Sequence, residues 1–309
     1  MSFVADRVLQ DRRELRPAYT VDGGRIPDES RLPLPGYPGA PVVVGNHAGS
    51  QFQLDVLGEA LLLLSTADRV GRLDSDNVRV LDMLVALVRD RAGQPEAGIW
   101  ELDDRRWAHS RLMCVAGLRA AARRREKAGT ARSRHEADEW QVLAGRLLDE
   151  VDRDCGDRSG RWQRAPGDER ADAALLLPGV RGAVPAMDRR NVRTVTSVRE
   201  QLSDDGYVYR FRQDPEAPLH QAEGAFVLSG FHMSLAELAM GRTTQALRWF
   251  ERNRGVLGPP GLFTEEFDVV QRQSRGNLPQ AFVHAAALET AQRLGEAGTD
   301  TRGFADEDR

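Results

Sequence analysis

Two acidic segments contain the residues best suited to do chemistry. Residues 96–101 read EAGIWE and residues 261–268 read GLFTEEFD, so each segment places a carboxylate beside bulky apolar side chains in a glycine-containing turn. Such surroundings can keep one carboxyl group protonated while another stays ionised. A protonated and an ionised carboxyl group together are what acid–base hydrolysis of a glycosidic bond requires.

Glu101 suits the role of the acid. Ile99 and Trp100 beside it are expected to withhold water from the charged form, which would raise the pKa of this carboxyl group. A second interpretation is structural: Glu101 stands at a helix entry and pairs with Arg105 or Arg106. Judged by the local sequence alone, the structural interpretation is favoured.

Glu265 and Glu266 are adjacent, so their side chains are expected to point in different directions. One of them can serve as the base that activates water. The alternative is an acidic surface turn that precedes Arg272 and Arg275, and the local sequence again favours it.

Charge and composition exclude several classes of function. The chain has 309 residues, with 43 basic against 47 acidic side chains and a net charge of −4. This balance lacks the basic footprint of a nucleic-acid-binding protein. Neither end contains an apolar stretch long enough for a signal peptide or a membrane span. We therefore expect a soluble, cytoplasmic protein with no nucleic-acid or membrane partner.

The cysteines point to neither a metal site nor a disulfide framework. Cys114 falls in a helical pattern and Cys155 in a polar loop, and their spacing fits no common zinc motif. Both are expected to be free thiols. No metal and no cofactor are predicted.

Helical periodicity dominates the chain, and alternating strand patterns are nearly absent. The sequence therefore predicts an all-α fold. The predicted helices cover residues 3–16, 48–67, 75–92, 108–128, 134–152, 188–203, 219–240, 243–254 and 279–295.

The connectors between these helices are long and rich in turn residues. Residues 33–39 (PLPGYPG) and 258–261 (GPPG) are examples, and connectors of this kind in a compact helical domain usually form a functional surface. Asn277 is expected to cap a helix that has Pro279 in its first turn. We predict one domain over residues 1–296 and a disordered tail over residues 297–309.

A series of short segments along the chain carries a recognisable pattern. The segments are residues 45–59 (GNHAGSQFQLDVLGE), 97–101 (AGIWE), 106–113 (RWAHSRLM), 223–226 (EGAF), 262–268 (LFTEEFD) and 276–284 (GNLPQAFVH). In this order they resemble the signatures of bacterial glycoside hydrolase family 15, the glucoamylase-like enzymes. Any one of these segments would be a weak signal, whereas their shared order is specific.

The resemblance implies an (α/α)6 toroid of six helical hairpins, with the active site in a funnel of loops at one end. It also implies hydrolysis of α-glucosidic bonds from the non-reducing end with inversion, as in glucoamylases, glucodextranases and a bacterial trehalase branch. Whether the α-glucoside is a maltooligosaccharide or trehalose stays open. No metal enters this chemistry.

The resemblance also assigns residues. Glu101 falls on the general acid of the family and Glu265 on its general base. Trp100 matches an aromatic wall of the glucose pocket, and Arg210 resembles an arginine that contacts sugar hydroxyl groups. An inverting mechanism seats a water molecule between base and sugar, so the carboxyl groups of Glu101 and Glu265 are expected to face one cleft roughly 6.5–9.5 Å apart.

The start of the chain departs from the family pattern. No Trp-x-Arg-Asp motif, which grips the terminal glucose in the family, occurs here, and nine helices are predicted where a complete toroid needs twelve. We therefore expect a toroid that is incomplete at its N-terminus and that hydrolyses maltose, maltotriose and trehalose poorly by itself. The alternative function is a non-catalytic remnant, or a subunit that self-associates or needs a complementary N-terminal chain.

Overall fold

The computed structural model describes residues 2–36, 41–69, 75–212 and 223–303. The chain divides into two compact units, which are described separately. The first unit comprises Met1–Leu34, Val42–Glu169 and Arg181–Pro185, and the second comprises Pro35–Pro41, Arg170–Val180 and Ala186–Arg309.

The first unit is built around one buried helix. Its helices are α1 Ser2–Asp11, α2 Asp55–Arg69, α3 Ser75–Arg91, α4 Ala108–Glu126 and α5 Ala131–Cys155. Every residue from Ala108 to Leu118 is buried, so α4 is enclosed on all sides, and it packs against α2 and α5. A capping box starts α5: the Thr130 hydroxyl accepts a hydrogen bond from the backbone N–H of Ser133, and the Ser133 hydroxyl accepts one from the Thr130 N–H.

Two glycines allow α2 and α4 to approach closely. A Cβ atom at Gly58 would lie 2.4 Å from the backbone carbon of Met113, and one at Gly117 would lie 2.5 Å from the carbonyl oxygen of Gly58. No side chain of any other residue type fits between these two backbones. The glycines therefore set the distance between the helices.

The second unit is also organised around a buried helix. Its helices are α6 Leu177–Arg181, which ends one residue beyond the unit, α7 Arg189–Leu202, α8 Val227–Ala239, α9 Thr243–Arg254 and α10 Ala281–Gly303. Every residue from Val227 to Glu237 is buried, and α8 packs against α9 and α10. Glu237 is fully buried within α8, where Arg199 and Arg242 neutralise it.

Short strands connect these helices. The strands are β1 Ser30–Pro35, β2 Pro41–Val44, β3 Ser203–Asp204, β4 Tyr207–Val208, β5 Ala225–Phe226, β6 Glu266–Asp268 and β7 Gln273–Arg275. β1 pairs with β2, β3 with β4, and β5, β6 and β7 form one antiparallel sheet. In that sheet Phe226 lies opposite Glu266, and Glu266 lies opposite Arg275.

The described helices confirm the all-α prediction, with differences at the ends of elements. The helix predicted from residue 48 begins at Asp55, because residues 47–50 form a separate 3-10 helix that Asn46 caps. The helix predicted from residue 219 begins at Val227, after the β5 pairing. α6 and the short strands were not predicted. In the described part of the chain, no helix is both long and apolar enough to cross a membrane.

The C-terminal helix extends further than the sequence predicts. α10 continues to Gly303 and so enters the tail predicted from residue 297, whose disorder stays a prediction. Residues 304–309 of the predicted tail lie outside the described residues.

Candidate active site

The candidate catalytic residues lie in two short segments, one in each compact unit. Residues 96–101, hereafter the Glu101 turn, belong to the first unit. Residues 262–268, hereafter the Glu265 segment, belong to the second. Each segment is described within its own unit.

Backbone hydrogen bonds fix the start of the Glu101 turn. Glu96 and Arg105 exchange two N–H···O=C bonds of 2.9 Å, and Ala97 donates to the carbonyl of Phe52 at 3.0 Å. Within the turn, the Glu101 N–H donates to the carbonyl of Gly98 at 3.0 Å. These backbone hydrogen bonds hold the turn without any contribution from side chains.

Glu101 has a backbone conformation that is uncommon for a residue with a side chain. Its φ is +56°, and Gly98 in the same turn has φ +70°. The left-handed region is unfavourable for residues other than glycine, and such conformations concentrate at functional sites, where the surrounding structure holds them. The Glu101 residue is exposed, so this strained turn presents a carboxylate at the surface.

The apolar neighbours of Glu101 are more buried than Glu101 itself. Trp100 is 8% exposed and Ile99 is half-buried, whereas the Glu101 residue is exposed. The raised pKa that the sequence suggests for the Glu101 carboxyl group stays a prediction. The role of Trp100 as a wall of a sugar pocket stays a prediction.

A buried carboxylate lies under the Glu101 turn. Glu96 is 1% exposed, and its Oε2 atom accepts hydrogen bonds from the backbone N–H groups of Gly98 at 2.8 Å and Leu54 at 3.2 Å. Asp55, the first residue of α2, is also buried and accepts a long hydrogen bond of 3.5 Å from the Ser110 hydroxyl on α4. Two carboxyl groups thus share one buried region beneath the turn.

Burial changes the protonation of both groups. The pKa of Asp55 is raised from 3.8 to about 7, chiefly by loss of solvation and in smaller part by the neighbouring carboxylates of Glu96 and Glu59. Loss of solvation also raises the pKa of Glu96 from 4.5 to about 7, against the hydrogen bonds from Leu54 and Gly98. A buried carboxyl group without a cationic partner is more stable when protonated.

In the second unit, three N–H donors hold Glu265. Its Oε2 atom accepts from the backbone N–H of Asn277 at 3.0 Å and from the Asn277 side-chain amide at 3.1 Å, and its Oε1 atom accepts from Gln280 at 3.3 Å. The Glu265 backbone N–H donates to the carbonyl of Asn277 at 2.9 Å. Asn277 was expected to cap a helix, but α10 begins only at Ala281, and Asn277 positions the carboxylate instead.

The residue before Asn277 must be glycine for this arrangement to form. Gly276 has φ +68°, and a Cβ atom there would lie 2.7 Å from Oε2 of Glu265. This distance is shorter than any ordinary contact of such an atom. The backbone thus approaches the carboxylate as closely as its N–H donors require.

Glu266 points away from the partners of Glu265, which confirms that the two side chains diverge. Its Oε2 atom accepts from the backbone N–H of Gly224 at 2.8 Å. The pKa of Glu266 is raised to about 7, chiefly by burial and in smaller part by the carboxylates of Glu223 and Glu265, while Arg210 acts in the opposite direction. Glu266 therefore has a raised tendency to be protonated.

Arg210 lies in the same cluster of charges. Its guanidinium binds Glu223 through two hydrogen bonds, one of 2.9 Å from Nε and a second from Nη2. The guanidinium carbon also lies 5.1 Å from the centre of the Phe226 ring. The structure thus brings Arg210, Glu265 and Glu266 into one cluster, and it adds Glu223, the first residue of the EGAF segment, which sequence reasoning did not assign. Sugar binding by Arg210 stays a prediction.

The arginines of the alternative, structural interpretation have other carboxylate partners. Arg106 binds Asp154 at 2.6 Å. Arg272 binds Asp205 at 2.7 Å. Within the residues that the structure describes, no group of three or more histidine, cysteine, aspartate or glutamate side chains is placed to hold a metal ion.

Comparison with known proteins gives a family and a fold. A sequence model of glycosyl hydrolases family 15 matches residues 1–292. The trehalase of Mycobacterium tuberculosis is 30% identical over 314 residues, which cover 98% of this chain and 46% of the trehalase. The chain thus spans about half the length of the curated relatives that it matches.

Solved structures show the same fold. A glycosidase variant in complex with glucose matches with a TM-score of 0.71 and 22% identity, over 95% of this chain and 78% of that one. A bacterial glucoamylase complexed with acarbose also gives a TM-score of 0.71, at 16% identity, over 95% of this chain and 45% of that one. Together with the family match, these likenesses confirm the (α/α)6 fold class.

The buried carboxyl groups predict how stability depends on pH. Because the pKa of Asp55 is higher in the folded than in the unfolded chain, the unfolded chain loses this proton first, and the free energy of unfolding falls as pH rises from about 4 to about 8. A rise of the pKa from 3.8 to about 7 corresponds to a loss of up to about 4 kcal/mol. Asp55→Asn should remove this part of the pH dependence.

Urea unfolding of the wild-type chain and of Asp55→Asn at several pH values measures this difference. Glu96 and Glu266 act in the same direction, so a smaller slope should remain in the variant. An unchanged slope in Asp55→Asn would show that Asp55 ionises in the folded protein as readily as in water.

Proposed function

This chain belongs to glycosyl hydrolases family 15, and from that membership we propose that it hydrolyses the glycosidic bond of an α-glucoside with inversion. The observation that carries the proposal is the Glu101 turn. A glutamate with φ +56° is exposed at the end of a turn whose other end is fixed by a buried carboxylate. Strain of this kind persists where the position of a side chain matters.

In this mechanism Glu101 is the general acid. It donates its proton to the glycosidic oxygen as the bond between that oxygen and the anomeric carbon breaks. A water molecule attacks the positively charged anomeric carbon from the face opposite the leaving group. Proton transfer by a positioned carboxyl group contributes about 10²–10⁴-fold to the rate.

Glu265 is the general base. It removes a proton from the attacking water as the new carbon–oxygen bond forms. After the reaction Glu101 is therefore ionised and Glu265 is protonated. An ionised carboxylate offers about four acceptor positions. The contacts with Asn277 and Gln280 use three of them, which leaves one for water.

Trehalose is the α-glucoside that we propose as substrate. The support is the similarity to the Mycobacterium tuberculosis trehalase, at 30% identity over 98% of this chain. Trp100 would line the sugar pocket. Arg210 would contact sugar hydroxyl groups while Glu223 holds its guanidinium in place.

Replacing either catalytic carboxylate tests the assignment. Glu101→Gln and Glu265→Gln should each lower glucose release from trehalose on the order of 10²-fold or more, because an amide neither donates an acidic proton nor accepts one. Glu266→Gln should have a milder effect, since an amide oxygen can still accept the hydrogen bond from Gly224. Glucose release is measured with trehalose, maltose and maltotriose at high protein concentration.

Four results would contradict the proposal. Glucose release that is unchanged by both replacements would show that other residues act. Equal losses at Glu265 and Glu266 would remove the reason for choosing Glu265 as the base. Release from maltotriose but not from trehalose would overturn the substrate assignment, and no release from any of the three sugars would overturn the activity.

Gly276 offers a test of how Glu265 is positioned. Gly276→Ala places a methyl group 2.7 Å from Oε2 of Glu265, and a displacement of about 1 Å at a catalytic group can cost on the order of 10²-fold in rate. We therefore expect glucose release to fall by about 10-fold to 100-fold. The matched control is Gly261→Ala, at φ +75° with nothing within 4 Å of the added atom.

Both variants should lose similar stability, because each forces alanine into a left-handed conformation that costs on the order of 1 kcal/mol. Only Gly276→Ala should lose activity beyond that shared effect. Equal activity in the two variants would mean that the contact between Gly276 and Glu265 does not control the reaction.

A further inference from the structure

We propose that Glu96 is a positioning residue for Glu101: its buried carboxylate holds the Glu101 turn in the conformation in which the acid can protonate its substrate. This inference rests on the proposed function and adds to it a residue with no direct contact to the sugar. It concerns the first unit alone.

Two hydrogen bonds connect Glu96 to the acid, and a third ties Glu96 to the residue before α2. The Glu96 carboxylate accepts the backbone N–H of Gly98 at 2.8 Å. The carbonyl of Gly98 accepts the backbone N–H of Glu101 at 3.0 Å. The same carboxylate oxygen accepts the N–H of Leu54 at 3.2 Å, so it ties the turn to the residue that precedes α2.

The turn cannot relax easily in another direction. A Cβ atom at Gly98 would lie 2.8 Å from the indole ring of Trp107, so this ring packs directly on the backbone opposite the carboxylate. Trp107 is itself buried at the start of α4. Gly98 is therefore held between an aromatic ring and a hydrogen-bond acceptor.

Loss of the acceptor would release the strained residue. A buried N–H group without a partner destabilises the folded chain, and Glu96 satisfies two such groups. The left-handed conformation of Glu101 is also unfavourable. Once Gly98 is free to rotate, relaxation of Glu101 to an ordinary backbone conformation lowers the free energy of the turn. This relaxation moves the acid away from the glycosidic oxygen.

The groups around Glu96 favour the neutral form of its carboxyl group, which still accepts hydrogen bonds, over the ionised form. The titratable side chains near it are Asp55, with Glu59 one turn further along α2, and Cys114 of α4. Burial raises the pKa of Glu96, and the nearby Ser110 hydroxyl and backbone N–H of Trp107 act against this rise. Its pKa of about 7 agrees with this setting. Positioning thus needs the carbonyl oxygen of residue 96 more than its negative charge.

The choice of substrate separates a positioning role from a purely structural one. Trehalose has an alkoxide leaving group that needs a proton, whereas the fluoride of α-glucosyl fluoride leaves with little help from an acid. Damage to the acid alone should therefore slow trehalose hydrolysis far more than fluoride release. General damage to the fold should slow both reactions equally.

We expect Glu96→Ala to lower kcat for trehalose by about 10²-fold and to lower kcat for α-glucosyl fluoride by less than about 10-fold, with little change in KM for either substrate. Glu96→Gln keeps the carbonyl oxygen and should restore most of the activity. The side chain in Glu96→Asp is one methylene group shorter, so its oxygens lie further from the N–H donors, and the variant should behave like Glu96→Ala. It keeps the test usable where alanine prevents folding. The matched control is Asp154→Asn, a carboxylate of the same unit that binds Arg106 and Arg111, and it should affect both substrates alike.

The inference is overturned if the Glu96 variants slow both substrates equally, or if Glu96→Gln is as damaging as Glu96→Ala. Glu101→Gln, assayed alongside, distinguishes this result from failure of the proposed function. If Glu101→Gln also slows both substrates equally, the assignment of Glu101 as the acid is wrong. If Glu101→Gln discriminates between the substrates and Glu96→Ala does not, only the positioning role is wrong.

Discussion

The close contact of α2 with α4 is the constraint on which the arrangement of the first unit depends. Gly58 and Gly117 let two helix backbones meet where any side chain would collide. That distance brings Asp55, at the start of α2, within reach of Ser110 on α4. The buried carboxylate of Glu96 lies in the same region and is tied to Leu54, the residue before α2. The packing of α2 against α4 thereby positions the buried residues next to the Glu101 turn.

The second unit positions its carboxylate by a different means. Glu265 directly precedes β6, and its carbonyl accepts the N–H of Val227, the first residue of α8. A close backbone approach at Gly276 then brings the donors of Asn277 to the side chain. In the first unit, the buried carboxylate of Glu96 contacts the turn that carries the exposed Glu101. In the second unit, backbone and side-chain amide donors contact the Glu265 carboxylate directly. These are different environments, as is expected of two carboxyl groups with opposite tasks.

The sequence predicts the helices better than it predicts the site. Long helices such as α4, α5 and α9 have strong periodic patterns, and the predicted positions are close to the observed ones. The two- and three-residue strands were missed because alternation cannot be recognised over so few residues. The proposal of Glu101 and Glu265 as catalytic residues comes from the family segments, since motif order survives where local patterns are ambiguous. The local sequence places Trp100 beside Glu101, but it does not reveal that Trp100 is buried while Glu101 is exposed. The contacts of Glu96 with Leu54 and of Glu223 with Arg210 span 42 and 13 residues of the chain, and no local pattern reveals them.

The most direct test of the account is the anomeric form of the glucose that trehalose yields. In α,α-linked trehalose, attack by water with inversion converts one glucose to the β anomer, while the other leaves as the α anomer. Proton NMR in the first minutes, before mutarotation, should therefore show equal amounts of α- and β-glucose. Release of α-glucose alone would mean retention, and it would contradict the assignment of Glu265 as a base that activates water.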